Sequence, residues 1–277
     1  MLNVPLPMLP VTLTIAGSDN SAGAGIQADL KTMSALGTYG VTAVTCVVAE
    51  VPGKVSAIQA IEPALVAEQI RLLFEAFPIA ALKTGMLYSR EIIATVCDTL
   101  EACFAKCGAR PPVVVDPVMV ATSGDPLLLQ DAVALYRERL FPLATVVTPN
   151  LDEVRTLLGR PVTSVAEMAR AGEELAAHYG TSFLIKGGHL REAIATDLLC
   201  TTAAVEEFTA PFVPGVSTHG TGCTYSAAIA AGLGKGLSLR EAVAEAKIFV
   251  TRAVTQFLRW QHRGYSTDAL QHFAPEK

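Results

Sequence analysis

Short runs of uninterrupted apolar residues, each followed by a segment with helical periodicity, govern what this chain can fold into. VTLTIAG (11–17), VTAVTCVVAE (41–50), IAALKTG (79–85), PVVVDPV (112–118), ATVVTPN (144–150) and SFLIKGG (182–188) are rich in apolar and β-branched residues, and outside the Val-Thr-Leu-Thr-Ile of the first they do not alternate polar with apolar residues. An alternating strand has one wet face, whereas a strand that is apolar on both sides is covered on both. The segments between them space their apolar residues as amphipathic helices do. They are AGIQADLKTMSALG (24–37), the stretch after Glu62–Pro63 with Val66, Ile70, Leu73 and Phe77, SREIIATVCDTLEACFAK (89–106), a segment near 128–140, and one opened by the Ser164-x-x-Glu167 capping box and reaching about Tyr179. This order implies an α/β fold, a mostly parallel sheet between two helical layers. Two strand-like runs over 195–213 and then two helices are expected to close the chain.

With no long linker, repeat or low-complexity tract, residues 11–277 read as one domain behind a loose arm, MLNVPLPMLP (1–10), which is rich in proline and lacks periodicity. The chain has 277 residues, 51% hydrophobic and 17% charged, enough apolar side chains for a large core and too few charges for disorder. A net charge of −5 offers no basic footprint, which argues against nucleic acid or an anionic membrane as partner. Polar residues, Gly or Pro interrupt every apolar run before it reaches membrane-spanning length, and the N-terminus lacks the pattern of a secretion signal. Cys46, Cys97, Cys103, Cys107, Cys200 and Cys223 have no zinc-type spacing and read as free thiols of a cytoplasmic protein.

Polar residues gather at the carboxyl ends of the apolar runs, where open α/β sheets bind ligands. These are Gly17-Ser18-Asp19, Asp116, Asn150 and Lys186. SDNSAGAGIQADLKT (18–32), a polar, glycine-punctuated loop feeding a helix, could wall a small-molecule pocket. In THGTGCTYSAAIAAGLG (218–234), Gly220, Thr221 and Gly222 head a helix, so unpaired N–H groups and the positive dipole end suit phosphate oxygens. No G-x-x-x-x-G-K-S/T is present, so this is not a P-loop. Cys223 is either a packing residue behind the glycine turn or a thiol of depressed pKa able to act as base or nucleophile. Asn150-x-x-Glu153 reads equally as a helix cap and as part of a Mg²⁺ site, with Asp116 as the second carboxylate. Lys186 either snorkels to the surface or reaches for phosphate, and the neighbouring glycines favour phosphate. His189 and His219 lack ligand spacing and read as structural.

Taken together and in order, AGSDNSAGAGIQADLKTMSALG, KTGML, VVVDPVMVATSGDPLL, VTPNLDEV, IKGGHL and THGTGCTYSAAIAA resemble the hydroxymethylpyrimidine and phosphomethylpyrimidine kinases of thiamine biosynthesis, members of the ribokinase-like superfamily. The resemblance covers about residues 11–260. It implies a three-layer α/β/α ribokinase-like domain, ATP with Mg²⁺, and a homodimer. It places Gly220, Thr221 and Gly222 in an anion hole, Cys223 as catalytic base, and Lys186 on phosphate. Asp116 and Glu153 fall at the metal, Asn150 and Thr221 beside the nucleotide phosphates, and Gly17, Ala24, Asp29, Glu50, Met86 and Val118 around a small pyrimidine substrate. Glu50 stands where relatives often carry Gln, and VPGKVSAI follows it in place of the usual pattern, in a segment (50–56) that could form a lid. The alternative within the superfamily is a pyridoxal or pyridoxine kinase. A cysteine hydrolase would need a histidine with an orienting partner, and a silent binding protein would not need Asp116, Glu153 and Cys223 together.

Overall fold

The structure, a computed structural model, describes residues 8–119, 130–190, 193–216 and 219–273. Residues 1–7 of the proposed arm, the start of the segment near 128–140 and part of VVVDPVMVATSGDPLL lie outside these residues. The strands are β1 (Val11–Asp19), β2 (Tyr39–Val51), β3 (Lys54–Ala60), β4 (Ile79–Thr84), β5 (Val113–Val115), β6 (Val146–Val147), β7 (Ser182–Lys186), β8 (Ile194–Cys200) and β9 (Val205–Pro211). A hairpin, β10 (Leu258–His262) and β11 (Tyr265–Ala269), follows them. The helices are α1 (Gly25–Ala35), α2 (Pro63–Ala76), α3 (Arg90–Phe104), α4 (Gln130–Leu135), α5 (Leu151–Leu158), α6 (Val165–Tyr179), α7 (Thr221–Gly234) and α8 (Leu239–Thr255).

The nine strands β1–β9 form one sheet in the order β3-β2-β1-β4-β5-β6-β7-β8-β9. The six strands from β2 to β7 are parallel, and β3, β8 and β9 are antiparallel additions at the edges. Strand pleat divides the core in two. Val113, Val115, Val147, Phe183 and Ile185 point into one apolar layer with α2 to α6, while Val114, Val146 and Leu184 point into the other with α7 and α8. Each such side chain contributes roughly 1.5–3 kcal/mol of burial, and this two-sided demand explains the unbroken apolar runs.

Local chemistry sets the helix ends. Ser89 caps α3 and Ser164 caps α6, each accepting a backbone N–H, and Ser238 with Glu241 forms a capping box on α8. Three features differ from the sequence expectations. The chain closes with a hairpin rather than with α8. The VPGKVSAI segment is strand β3, folded back on β2 as a two-stranded flap. Helix α4 continues through a π turn (Tyr136–Leu140) and a 3₁₀ turn (Phe141–Leu143), because Tyr136 and Phe141 must both reach the core.

The chain runs from β1 outward to β2, then crosses back to β4 on the other side of β1. That reversal is a topological switch point, and a crevice opens there at the carboxyl ends of the strands. Register shifts interrupt the ladder at Gly17 in β1 and at Glu50 in β2. Bulges of this kind turn side chains toward a site.

Candidate active site

A cleft of about 660 Å³ lies over the switch point. Its floor is the first turn of α7. Gly220 has φ +83°, and a Cβ there would overlap the Gly23 carbonyl, so only glycine fits. The Thr224 N–H donates to the Gly220 carbonyl and closes the turn, and Gly220 to Cys223 stand at the positive end of a 14-residue helix. A Cβ on Gly222 would lie 3.3 Å from Lys186 Nζ and 3.6 Å from Asp116 Oδ2, so this turn faces the ends of β5 and β7 directly.

Asp116 follows β5 and is buried. Its carboxylate accepts from Lys186 Nζ at 3.0 Å, Thr148 Oγ1 at 3.2 Å and Ser226 Oγ at 3.3 Å. Burial raises the Asp116 pKa, but the Lys186 and Lys83 ammonium groups outweigh it and hold the carboxyl below its ordinary value. Glu153 caps α5 in a complete capping box. Asn150 Oδ1 accepts the Glu153 N–H at 3.0 Å, and Glu153 Oε2 accepts the Asn150 N–H at 2.8 Å. Burial, with Asp116 adding and Lys186 opposing, pushes Glu153 up to about 8. The cap reading of Asn150-x-x-Glu153 is thus met, and the same carboxyl is close enough to Asp116 to feel its charge. The hard oxygen donors of Asp116 and Glu153, with a buried carboxyl strained by its acidic neighbour, fit a divalent cation of the Mg²⁺ type.

Asp29 does not line the cleft. It is fully buried beneath the floor, ion-paired with Lys83 Nζ at 2.8 Å and accepting from Thr14 Oγ1 at 2.6 Å. The expectation that Asp29 touches substrate is corrected here, because α1 turns its inner face onto β1 and β4. Lys83 reaches the cleft from below. Cys223 is partly buried above it, and burial pushes the thiol up to about 11, with Asp29 and Asp116 adding and Lys83 opposing. The thiol is therefore not depressed as a helix N-terminus alone would suggest.

Gly17, Ala24, Glu50, Met86 and Val118 all line the cleft. Thr45 Oγ1 donates to the Met86 carbonyl at 2.6 Å, and a Cβ on Gly17 would meet Cys46 Sγ at 2.7 Å, which sets a narrow wall. His219, read from the sequence as structural, enters the site. Its Nε2 lies 3.2 Å from Asp19 Oδ2, and the ligating atoms of Asp19, Glu50 and His219 lie within 4.8 Å of one another. Asp19 also accepts from the N–H groups of Ser21, Gly23 and Ala24. Burial raises its pKa, but His219 and these N–H groups hold it far below the ordinary carboxylate range. Burial and Asp19 raise Glu50, against His219. The far wall comes from Val213, Tyr225, Val250, Val254 and the Asp197–Lys247 pair at 2.6 Å. Nothing in the spacing of these residues marks them as neighbours; the sheet order brings them together.

The phosphomethylpyrimidine kinase family matches residues 19–268. The chain belongs to this family. It is 46% identical over 249 residues to a hydroxymethylpyrimidine/phosphomethylpyrimidine kinase of Rhizobium meliloti, covering 90% of this chain and 91% of that protein. The structure of phosphomethylpyrimidine kinase from Clostridium difficile superposes with a TM-score of 0.76 at 39% identity, over 88% of this chain and 99% of that one. An ADP complex of Bacillus subtilis pyridoxal kinase superposes with a TM-score of 0.85 at 34% identity, over 95% of this chain and 97% of that one. The ribokinase-like α/β fold, the kinase class and the family expected from the motifs are thus borne out. Among the described residues, no helix is long and apolar enough to cross a membrane.

Proposed function

We propose that this chain transfers the γ-phosphoryl group of ATP to the hydroxymethyl group of 4-amino-5-hydroxymethyl-2-methylpyrimidine, and then a second one to the monophosphate so formed. The observation that carries this reading is the Gly220–Cys223 turn facing Asp116 and Lys186 across one cleft. A transferring phosphoryl group is charge-rich in a loose transition state, and N–H groups and an ammonium fixed in advance stabilise it. Mg²⁺ held between Asp116 and Glu153 would supply further charge neutralisation for the nucleotide phosphates.

The remaining work falls to the chain's own side chains. Lys186 and the Gly220, Thr221 and Gly222 N–H groups hold phosphate oxygens, with Asn150 beside them. Gly17, Ala24, Glu50, Met86 and Val118 enclose the pyrimidine, and Glu50 meets its amino edge. Cys223 accepts the hydroxymethyl proton as the alcohol attacks. The wall of Val213, Val250 and Val254 suits the apolar faces of the nucleotide base. The cytoplasm suits its free thiols, and the exposed Tyr39, Val47, Val51 and Val55 at the β2–β3 edge support a homodimer.

ATP consumption measured side by side on the pyrimidine alcohol, its monophosphate and pyridoxal tests the reading. Turnover on both pyrimidines above that on pyridoxal is expected. The superposition with pyridoxal kinase favours the second reading, and pyridoxal turnover at or above the pyrimidine would establish it.

A further inference from the structure

We propose that His272 is a positioning residue for the anion hole, acting through Thr224. This rests on reading the Gly220–Cys223 turn as the phosphate site.

After α8 the chain doubles into the β10–β11 hairpin and returns to the body of the protein. Leu270 and His272 are both buried, at 3% and 2% exposure, and the Gln271 N–H donates to the Ala253 carbonyl of α8 at 3.0 Å. His272 Nε2 then lies 2.9 Å from Thr224 Oγ1. With its proton on the other nitrogen, the neutral ring accepts from the threonine hydroxyl at Nε2. Burial and the nearby Lys31 ammonium keep the imidazole neutral, as this arrangement requires.

Thr224 directly follows Cys223 and is fully buried. Its N–H bonds the Gly220 carbonyl, so this one residue links the terminal tail to the turn that presents the anion-binding N–H groups. A helical threonine hydroxyl ordinarily turns back on the carbonyl four residues earlier, here Gly220. His272 offers it a fixed partner instead. The hairpin also reaches the other side of the turn. Arg259, ion-paired with Asp268 across the hairpin at 2.7 Å, donates to the Gly215 carbonyl at 3.2 Å in the segment that leads to His219 and Gly220. One terminal element therefore contacts the chain on both sides of the turn in sequence, at Gly215 and at Thr224.

The test uses the full chain with His272→Ala, Thr224→Val, their double variant and Thr224→Ser. A misplacement of the donors acts on the transition state more than on ground-state binding, so kcat should fall about tenfold or more in both single variants. The KM for the pyrimidine should stay near wild type, the double variant should be no worse than either single one, and Thr224→Ser should recover most of the loss. A kcat within about twofold of wild type with only a lowered Tm, or additive losses in the double variant, would overturn the proposal. If His272→Ala does not fold, Thr224→Val against Thr224→Ser reads the same link with the tail intact. If the chain phosphorylates none of the alcohols offered, ADP affinity by calorimetry serves instead. Weaker binding in Thr224→Val but not Thr224→Ser then supports the proposal, and equal affinities overturn it.

Discussion

Cys223 shows how far a single side chain depends on its surroundings. At the head of a helix its thiol should ionise easily, yet burial and two carboxylates push it up to about 11, with Lys83 as the opposing cation. A base that is mostly protonated at neutral pH gains activity as its ionised fraction grows, about tenfold per pH unit below its pKa. The rate of alcohol phosphorylation should therefore climb between pH 7 and 9. The monophosphate step uses a nucleophile that is already an anion, so its rate should climb much less over the same range, by no more than the ionisation of Glu153 near 8 adds to both steps. Cys223→Ala should cost the alcohol step about 10²–10⁴-fold and the second step much less, because the backbone donors survive. Separate initial-rate measurements on the two substrates decide this, and equal losses would make the cysteine a shaping residue of the anion hole. Glu50 invites a related test. Glu50→Gln should keep most activity, since an amide complements an aminopyrimidine edge. Glu50→Ala should raise KM by an amount equivalent to roughly 1–3 kcal/mol of unpaired polar groups. Unchanged KM in Glu50→Ala would remove it from the pocket.

At the scale of elements, each site residue stands where a strand ends or a helix begins. Helix α5 is the clearest case, because Glu153 both closes its capping box and feels the charge of Asp116. Glu153→Gln keeps the capping geometry, since glutamine serves the same position in a capping box. Thermal stability should thus change little, while the Mg²⁺ concentration for half-maximal rate rises and kcat falls. A metal titration identical to wild type would leave Glu153 a cap alone. The Asp29–Lys83 pair ties α1 to β4 under the cleft, with both side chains fully buried. Asp29→Asn removes the carboxylate paired with the buried Lys83 ammonium, leaving only the more distant charge of Asp116, and should cost about 3–5 kcal/mol in denaturant unfolding. A loss below about 1 kcal/mol would show that the pair relaxes toward water. The β2–β3 flap carries Glu50 into the cleft because β2 bulges there and β3 folds back on it.

Across the whole molecule, the tail after the terminal hairpin returns to pack against α7 and α8, and the pH dependence of stability should report this. Burial and Lys31 lower the folded His272 pKa from 6.5 to about 4. Between those values the unfolded chain binds a proton that the folded chain refuses, so stability is lost as pH falls from about 6.5 toward about 4. His219 acts in the opposite sense: its pKa is raised by Asp19, so its contribution is complete below 6.5 and fades as pH rises through its folded value. Asp19, held below 3.8, contributes its stability in full above that pH and loses it only as the pH falls further. Glu153, raised to about 8, acts in the same sense as His219 in wild type and variant alike, so the test is a difference: the Tm advantage of wild type over His272→Gln should shrink as pH falls from 7 to 4, and a constant difference would assign the effect elsewhere. Much of this architecture was legible in advance. Runs such as VVV at 113–115 are apolar on both faces, and only a strand between two helical layers satisfies them. Asp116, Asn150 and Lys186 at strand ends, with the glycine turn at 220–222, marked the site because parallel strands place all their carboxyl ends together. Asp29, His219, Lys83 and His272 were not readable in this way. Asp29 and Lys83 are 54 residues apart, Asp19 and His219 are 200 apart, and Thr224 and His272 are 48 apart. Neighbours at such separations are chosen by strand order and by the return of the terminal tail. Sequence periodicity reports which face of an element is buried, and only the packed sheet decides which other element lies against it.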